Sequence, residues 1–256
     1  MFMNRKYLNM KYLKAVSFIT VIAFSFVIMS LNADSSFAAS NEKNTVNQFS
    51  ILTKKIDSEI TSKVKILVSH ISDDNPPFRE DFEKMFKNSI IVGDSLTEGI
   101  YVYNFLDKSK VLADIGASIR NGESLFLDAG AKKPENAFFA FGMNDLGGYN
   151  GNTSKFIKDY KNRILKFSKA SSKSRIFVCA VQIPSDKALS ENPIYKKYDD
   201  FNKGISKMCK KNKWTFCDTT SIIKINPELH APDGIHMDIK YYPRLLDLLA
   251  SYAGIL

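Results

Sequence analysis

Three cysteines, three histidines and one tryptophan are all that the 256 residues contain of those types. Three cysteines cannot build a disulfide framework, and their odd number leaves at least one unpaired. No C-x-x-C occurs, and three histidines make a zinc site hard to assemble, so no metal centre is expected. With 12 glycines and 8 prolines the chain is not collagen-like, and it has neither an internal repeat nor a low-complexity tract. A hydrophobic share of 45% with 25% charged residues excludes wholesale disorder. Acidic residues are in deficit, 27 against 36 Lys and Arg. Such a basic surplus suits nucleic acid, an anionic membrane, anionic wall polymers or plain solubility, and its location has to decide.

The chain opens on Arg5, Lys6, Lys11 and Lys14, followed by the uncharged stretch 15–31 (AVSFITVIAFSFVIMSL) and the small-residue run NADSSFAAS. This is the layout of a secretory signal, with Ser36 and Ala38 placed for cleavage after Ala38. The other reading is a retained membrane anchor, since a run of this length stands at the lower edge of what spans a bilayer. No Cys follows the run, so a lipid anchor is not expected. Either way the remainder is secreted or held at the cell surface. Membrane contact comes only through this segment, if it stays uncleaved. An extracytoplasmic protein is a poor partner for nucleic acid. The surplus lysines read first as a solvated surface and second as an attraction to anionic wall polymers.

Residues 39–87 read as a helical N-terminal extension. Ile51, Leu52, Ile56, Ile60 and Val64 recur at helical spacing, predicting a helix over 46–70. The run Ser72-Asp73-Asp74-Asn75-Pro76-Pro77 ends it, and a short helix follows over 79–87. His70, at the end of the first helix, reads as a surface or capping residue.

From residue 88 to 256 the pattern turns regular. Apolar runs at Ser89–Val92, Val111–Ala113, Ala137–Phe141, Arg175–Val181 and Trp214–Cys217 predict five strands. Helices are expected at Ser154–Lys169, Ile194–Lys211 and Leu245–Tyr252. Fully apolar strands separated by helices imply a parallel sheet covered on both faces. In such sheets chemistry gathers in the loops after the strands.

Those loops carry the candidate site. After the first strand stands Gly93-Asp94-Ser95, which lacks the second glycine of the α/β-hydrolase elbow because Thr97 takes its place. After the second comes Gly116, after the third Gly142-Met143-Asn144-Asp145, and near the C-terminus Asp233-Gly234-Ile235-His236. A nucleophilic Ser needs a base, and the base an orienting acid. Ser95, His236 and Asp233 are those residue types. The Ser95 and Gly116 amides and the Asn144 side chain are candidate oxyanion donors. Asp94 reads as a turn or cap residue, and Asp145 as a brace for its loop. His230 reads as a rim residue, lacking an Asp at the spacing of His236. Cys179, Cys209 and Cys217 read as buried free thiols. Tyr101, Tyr103 and Tyr149 could form a sugar-stacking rim.

Taken in order, these blocks resemble the SGNH, or GDSL, hydrolase superfamily from about Ser89 to the C-terminus. Gly93-Asp94-Ser95 matches its first block with Ser95 as nucleophile, and Gly116 matches the oxyanion glycine. Gly142-x-Asn144-Asp145 matches the third block, and Asp233-x-x-His236 the last. The resemblance implies a three-layer, flavodoxin-like α/β fold around a five-stranded parallel sheet. It also implies an esterase or acylhydrolase that needs no cofactor. Short loops between the blocks leave little chain for a covered acyl channel. A small acyl group, such as O-acetyl on wall or extracellular carbohydrate, is therefore the expected substrate. A lipase or lysophospholipase, an acyltransferase and a catalytically silent wall-binding module are the alternatives.

Overall fold

A computed structural model describes residues 79–256. The readings of the signal or anchor segment, the 46–70 helix and His70 lie outside the described residues. Among the described residues no helix is long and apolar enough to cross a membrane.

Five strands form one parallel sheet: β1 (Ser89–Gly93), β2 (Val111–Ala113), β3 (Asn136–Ala140), β4 (Arg175–Cys179) and β5 (Thr215–Cys217). Their order is β2-β1-β3-β4-β5, the flavodoxin-like order expected. Ile91 pairs with Val111 on one side and Phe138 on the other, which brings the carboxyl ends of β1, β2 and β3 together. Alternation along each strand divides the core. Ile90, Val92, Ala137, Phe139, Ile176 and Val178 face one side, whereas Ile91, Phe138, Phe177 and Cys179 face the other.

The first face is covered by α3 (Glu123–Ala131), α5 (Thr153–Ala170) and α7 (Tyr198–Asn212). The apolar stripe of α5 is Phe156, Tyr160, Ile164 and Phe167, all buried at spacings of three and four. The second face is covered by α1 (Arg79–Met85), α2 (Ser95–Val102), α8 (Thr220–Ile225) and α9 (Tyr241–Ala253). Phe82 of α1 and the following Phe86 are fully buried there, and Phe86 lies 5.8 Å from the Phe138 ring. The short helix of the N-terminal extension thus packs its aromatic side chains into the sheet's own core. Each such aromatic contributes about 1.5–3 kcal/mol through area removed from water.

The helix expected over Ile194–Lys211 is two elements, a 3-10 turn at Pro193–Lys197 and α7. Pro193 sits at the first position of that turn, where its missing N–H is no loss. Two short helices complete the framework, α4 (Met143–Gly148) and α6 (Asp186–Glu191). The three cysteines are free and buried, with Cys179 and Cys217 register partners on β4 and β5.

Candidate active site

Ser95 stands at the start of α2, immediately after β1. Asp94 caps that helix, its Oδ1 accepting from the Leu96 N–H at 3.0 Å. The cap and turn role read from the sequence is therefore its position. Burial pushes the Asp94 carboxyl up to about 7, against the lowering effect of the Leu96 and Thr97 amides and the charge of His236. Beneath this turn lies a cavity of about 40 Å³ whose lining includes Asp94, Gln182, Thr219 and Tyr241. Gln182 Nε2 donates to Thr219 Oγ1 at 2.7 Å and to the Tyr241 hydroxyl at 2.6 Å.

The C-terminal loop delivers the imidazole. His236 Nε2 lies 3.1 Å from Ser95 Oγ, and Nδ1 lies 2.6 Å from Asp233 Oδ2. The other oxygen of Asp233 accepts the Ile235 and His236 backbone N–H groups, each at 2.9 Å. Partial burial would raise the Asp233 carboxyl. The His236 ring and the two amides overcome it and hold the group down to about 2. An ionised Asp233 fixes the tautomer: Nδ1 donates to it, leaving the Nε2 lone pair for the Ser95 hydroxyl. The fold thus brings together all three residues read from the sequence as a triad.

Gly116 lies in the loop after β2 at φ +71°, a conformation that costs glycine nothing. Nothing stands within 4 Å of where a Cβ would be, so its backbone is open to an approaching group. Asn144, on α4 after β3, is exposed and donates one Nδ2 hydrogen to Ala117 O at 2.9 Å. That bond fixes the amide plane and leaves the second N–H for another acceptor. Gly142, which precedes α4, has φ +139°, and a Cβ there would come within 2.3 Å of Val181 Cγ2. Only glycine allows β3 to turn so closely into the helix that carries Asn144.

The loop after β2 is tied down by two side chains, of which Asn121 is absent from the sequence reading. Asn121 Oδ1 accepts the Ser118 N–H at 2.7 Å, and its Nδ2 donates to Gly116 O at 3.3 Å. Asp145, read as a brace for its own loop, reaches across instead and accepts the Ile119 N–H at 2.9 Å. Burial pushes the Asp145 carboxyl up to about 7, and the charge of Asp94 adds to the shift.

His230 is not near the Ser95 hydroxyl. Its Nε2 lies 2.8 Å from Ile183 O and its Nδ1 3.0 Å from Pro227 O, so it ties the loop after β4 to the segment that leads into Asp233. Of the three tyrosines read as a rim, Tyr149 is lost to it. Tyr149 is buried and donates to Asp159 at 3.1 Å. Tyr101 donates to Glu98 at 2.6 Å and has Lys108 Nζ over its ring, 5.2 Å from the centroid. Tyr103, 42% exposed, is still presented to solvent. No group of three His, Cys, Asp or Glu side chains converges as a metal site among the described residues.

No protein-family model and no curated protein matches the chain. Solved structures do match it. A GDSL-like lipase from Bacteroides thetaiotaomicron superposes with a TM-score of 0.53 at 17% identity, over 76% of this chain and 99% of its own. A protein assigned as a GDSL-like lipase from Parabacteroides merdae gives 0.53 at 18% identity, over 66% and 97%. One assigned as an acylhydrolase from Bacteroides fragilis gives 0.52 at 16%, over 66% and 88%. The class that the sheet order and these matches define is the flavodoxin-like α/β fold. Within it, the chain has the fold of the GDSL-like, or SGNH, hydrolases.

Proposed function

We propose that the protein is an exported serine esterase of the SGNH/GDSL type. The observation that carries this reading is the unbroken hydrogen-bonded chain from Ser95 through His236 to Asp233. In the reaction, His236 Nε2 takes the Ser95 proton as Oγ attacks the ester carbonyl carbon. The carbonyl π pair moves onto oxygen, where the Ser95 and Gly116 amides and the free Asn144 N–H receive it. Collapse of the tetrahedral species breaks the bond to the leaving alkoxide, which takes the proton from His236. Water then repeats the sequence on the acyl-enzyme, and Ser95 is restored. Apart from the ester and the attacking water, each step uses only this chain's side chains and backbone.

A small acyl group on extracellular carbohydrate is the substrate this reading favours. Its support is the openness of the site, with the His236 and Asp233 side chains 48% and 51% exposed. Export is favoured by the basic and apolar layout of residues 1–38. The deciding experiment is hydrolysis of p-nitrophenyl acetate by Ser95→Ala. Turnover is expected to vanish while the circular dichroism spectrum stays unchanged, because the small side chain of a partly exposed Ser at the first turn of α2 contributes little packing. A folded Ser95→Ala enzyme with wild-type turnover would overturn the mechanism.

A further inference from the structure

Between α5 and α7 runs a groove of about 1070 Å³, far from the triad in composition. Its floor includes Ile157, Gly204 and Met208, and Thr153, Ser154 and Asn212 mark its ends. Six lysines line it: Lys158 and Lys161 from α5, with Lys203, Lys207, Lys210 and Lys211 from α7. The groove's carboxylate, Asp200, is taken by Lys197 at 3.0 Å. Of the six, Lys203 alone has a carboxylate partner among the described residues, Asp199 at 2.6 Å.

This differs from an evenly solvated surface. On the same helix layer, by contrast, Arg163 and Lys166 share the carboxylate of Glu123. In the groove, Lys203, Lys207 and Lys211 follow one another at i,i+4, so like charges stack along one ridge. Lys207 and Lys211 have no carboxylate beside them among the described residues, and Asp199 offsets the charge at the Lys203 end of this row. Over the span from Asp200 to Asn212 it offers roughly 18 Å of positive track.

We infer that this groove binds a linear phosphodiester-linked polymer that carries no bases. The lining selects among polyanions. Its cations are all lysines, compact point charges that meet one oxyanion each and so suit the single charge of each phosphodiester link along a linear polymer. It contains no aromatic ring, so it lacks the stacking platform by which proteins hold single-stranded nucleic acid. Ile157 and Met208 supply apolar contact for the carbon segments between phosphates. The inference goes beyond the esterase reading and does not rest on it.

The test is binding of a labelled propanediol-phosphodiester oligomer to the full chain, followed by fluorescence anisotropy at about 0.15 M salt. Lys207→Glu/Lys211→Glu should weaken binding about tenfold or more and lower the slope of log K against log salt by roughly 1.4, two phosphate contacts' worth. Lys207→Gln/Lys211→Gln should weaken it in the same direction by less. All of these variants, which lie outside the triad and oxyanion loops, should hydrolyse p-nitrophenyl acetate like wild type, and Ser95→Ala should bind the oligomer normally. Lys132→Glu/Lys133→Glu, which alters a separate lysine cleft at the far end of the sheet, should also bind normally. The inference is overturned if wild type fails to bind, or if the glutamine pair binds like wild type. It is equally overturned if the Lys132/Lys133 variant loses as much affinity, which would mean diffuse charge. Tighter binding of single-stranded DNA than of the oligomer would overturn the choice of a base-free polymer.

Discussion

In the proposed reaction Asn144 serves scaffold and chemistry together. One amide hydrogen is spent on Ala117 O at 2.9 Å, which leaves the other for the oxyanion of that proposed reaction. Asn144→Ala should therefore lower kcat by about 10²–10³ with little change in KM, since the lost interaction forms mainly in the transition state. Steady-state kinetics on p-nitrophenyl acetate measure this directly. A kcat equal to wild type would leave Asn144 as a loop residue only. The site residues were legible together and not one by one, because each block is unspecific alone and the four fall in order in the loops after the strands. Their supporting contacts were not. Asn121 and His230 act on backbone carbonyls and amides, and a carbonyl has no signature in the sequence. Tyr149 illustrates the converse: its place near the Asn144 loop suggested a rim, yet packing against Phe156 at 5.7 Å draws it inward.

Among the elements, the five strands were the most legible part, because a strand buried on both faces must be apolar at nearly every position. Helices were less so. The helix α3 was missed, since its buried residues Leu125, Phe126, Ala129 and Gly130 include two with small side chains and leave a weak apolar stripe. The break at Lys197 between the 3-10 turn and α7 also lay inside one continuous pattern. What joins neighbouring elements at the site is Asp145, which links α4 to the loop after β2. Its folded-state carboxyl stands near 7 against an ordinary value of 3.8, so the folded form holds more protons between those limits. Stability should accordingly fall as pH rises through that window, by at most about 1.4 kcal/mol per pH unit from this group. Asp145→Asn keeps an acceptor for the Ile119 N–H but has no proton to lose. Thermal melts at pH 5 and pH 8 should show a smaller drop in Tm for the variant than for wild type. Equal drops would assign the pH dependence to other groups.

For the whole molecule, the described domain leaves its candidate site on an open end of the sheet. Ile115, 80% exposed beside Gly116, is an apolar contact without walls around it. A long acyl chain would remain largely in water there and gain little of the roughly 0.8 kcal/mol available per buried methylene. Across p-nitrophenyl esters from acetyl to palmitoyl, kcat/KM should be greatest for the short acyl groups. A steady rise toward palmitoyl would favour the lipase alternative and require an apolar cover.

Ser95 and His236 are separated by 141 positions in the chain yet meet at 3.1 Å. Between them lie β2 to β5 and every crossover that sets the sheet order, and after them α9 must pack Leu246 and Leu249 beneath the sheet. Neither half of the chain contains a fragment of the chemistry that could work by itself. On the proposed mechanism, a polypeptide in which these strands are unpaired holds Ser95 without its base. In the proposed mechanism, then, reactivity belongs to the folded sheet and not to any local stretch of chain, because only the assembled strands close a span of 141 positions to hydrogen-bonding distance.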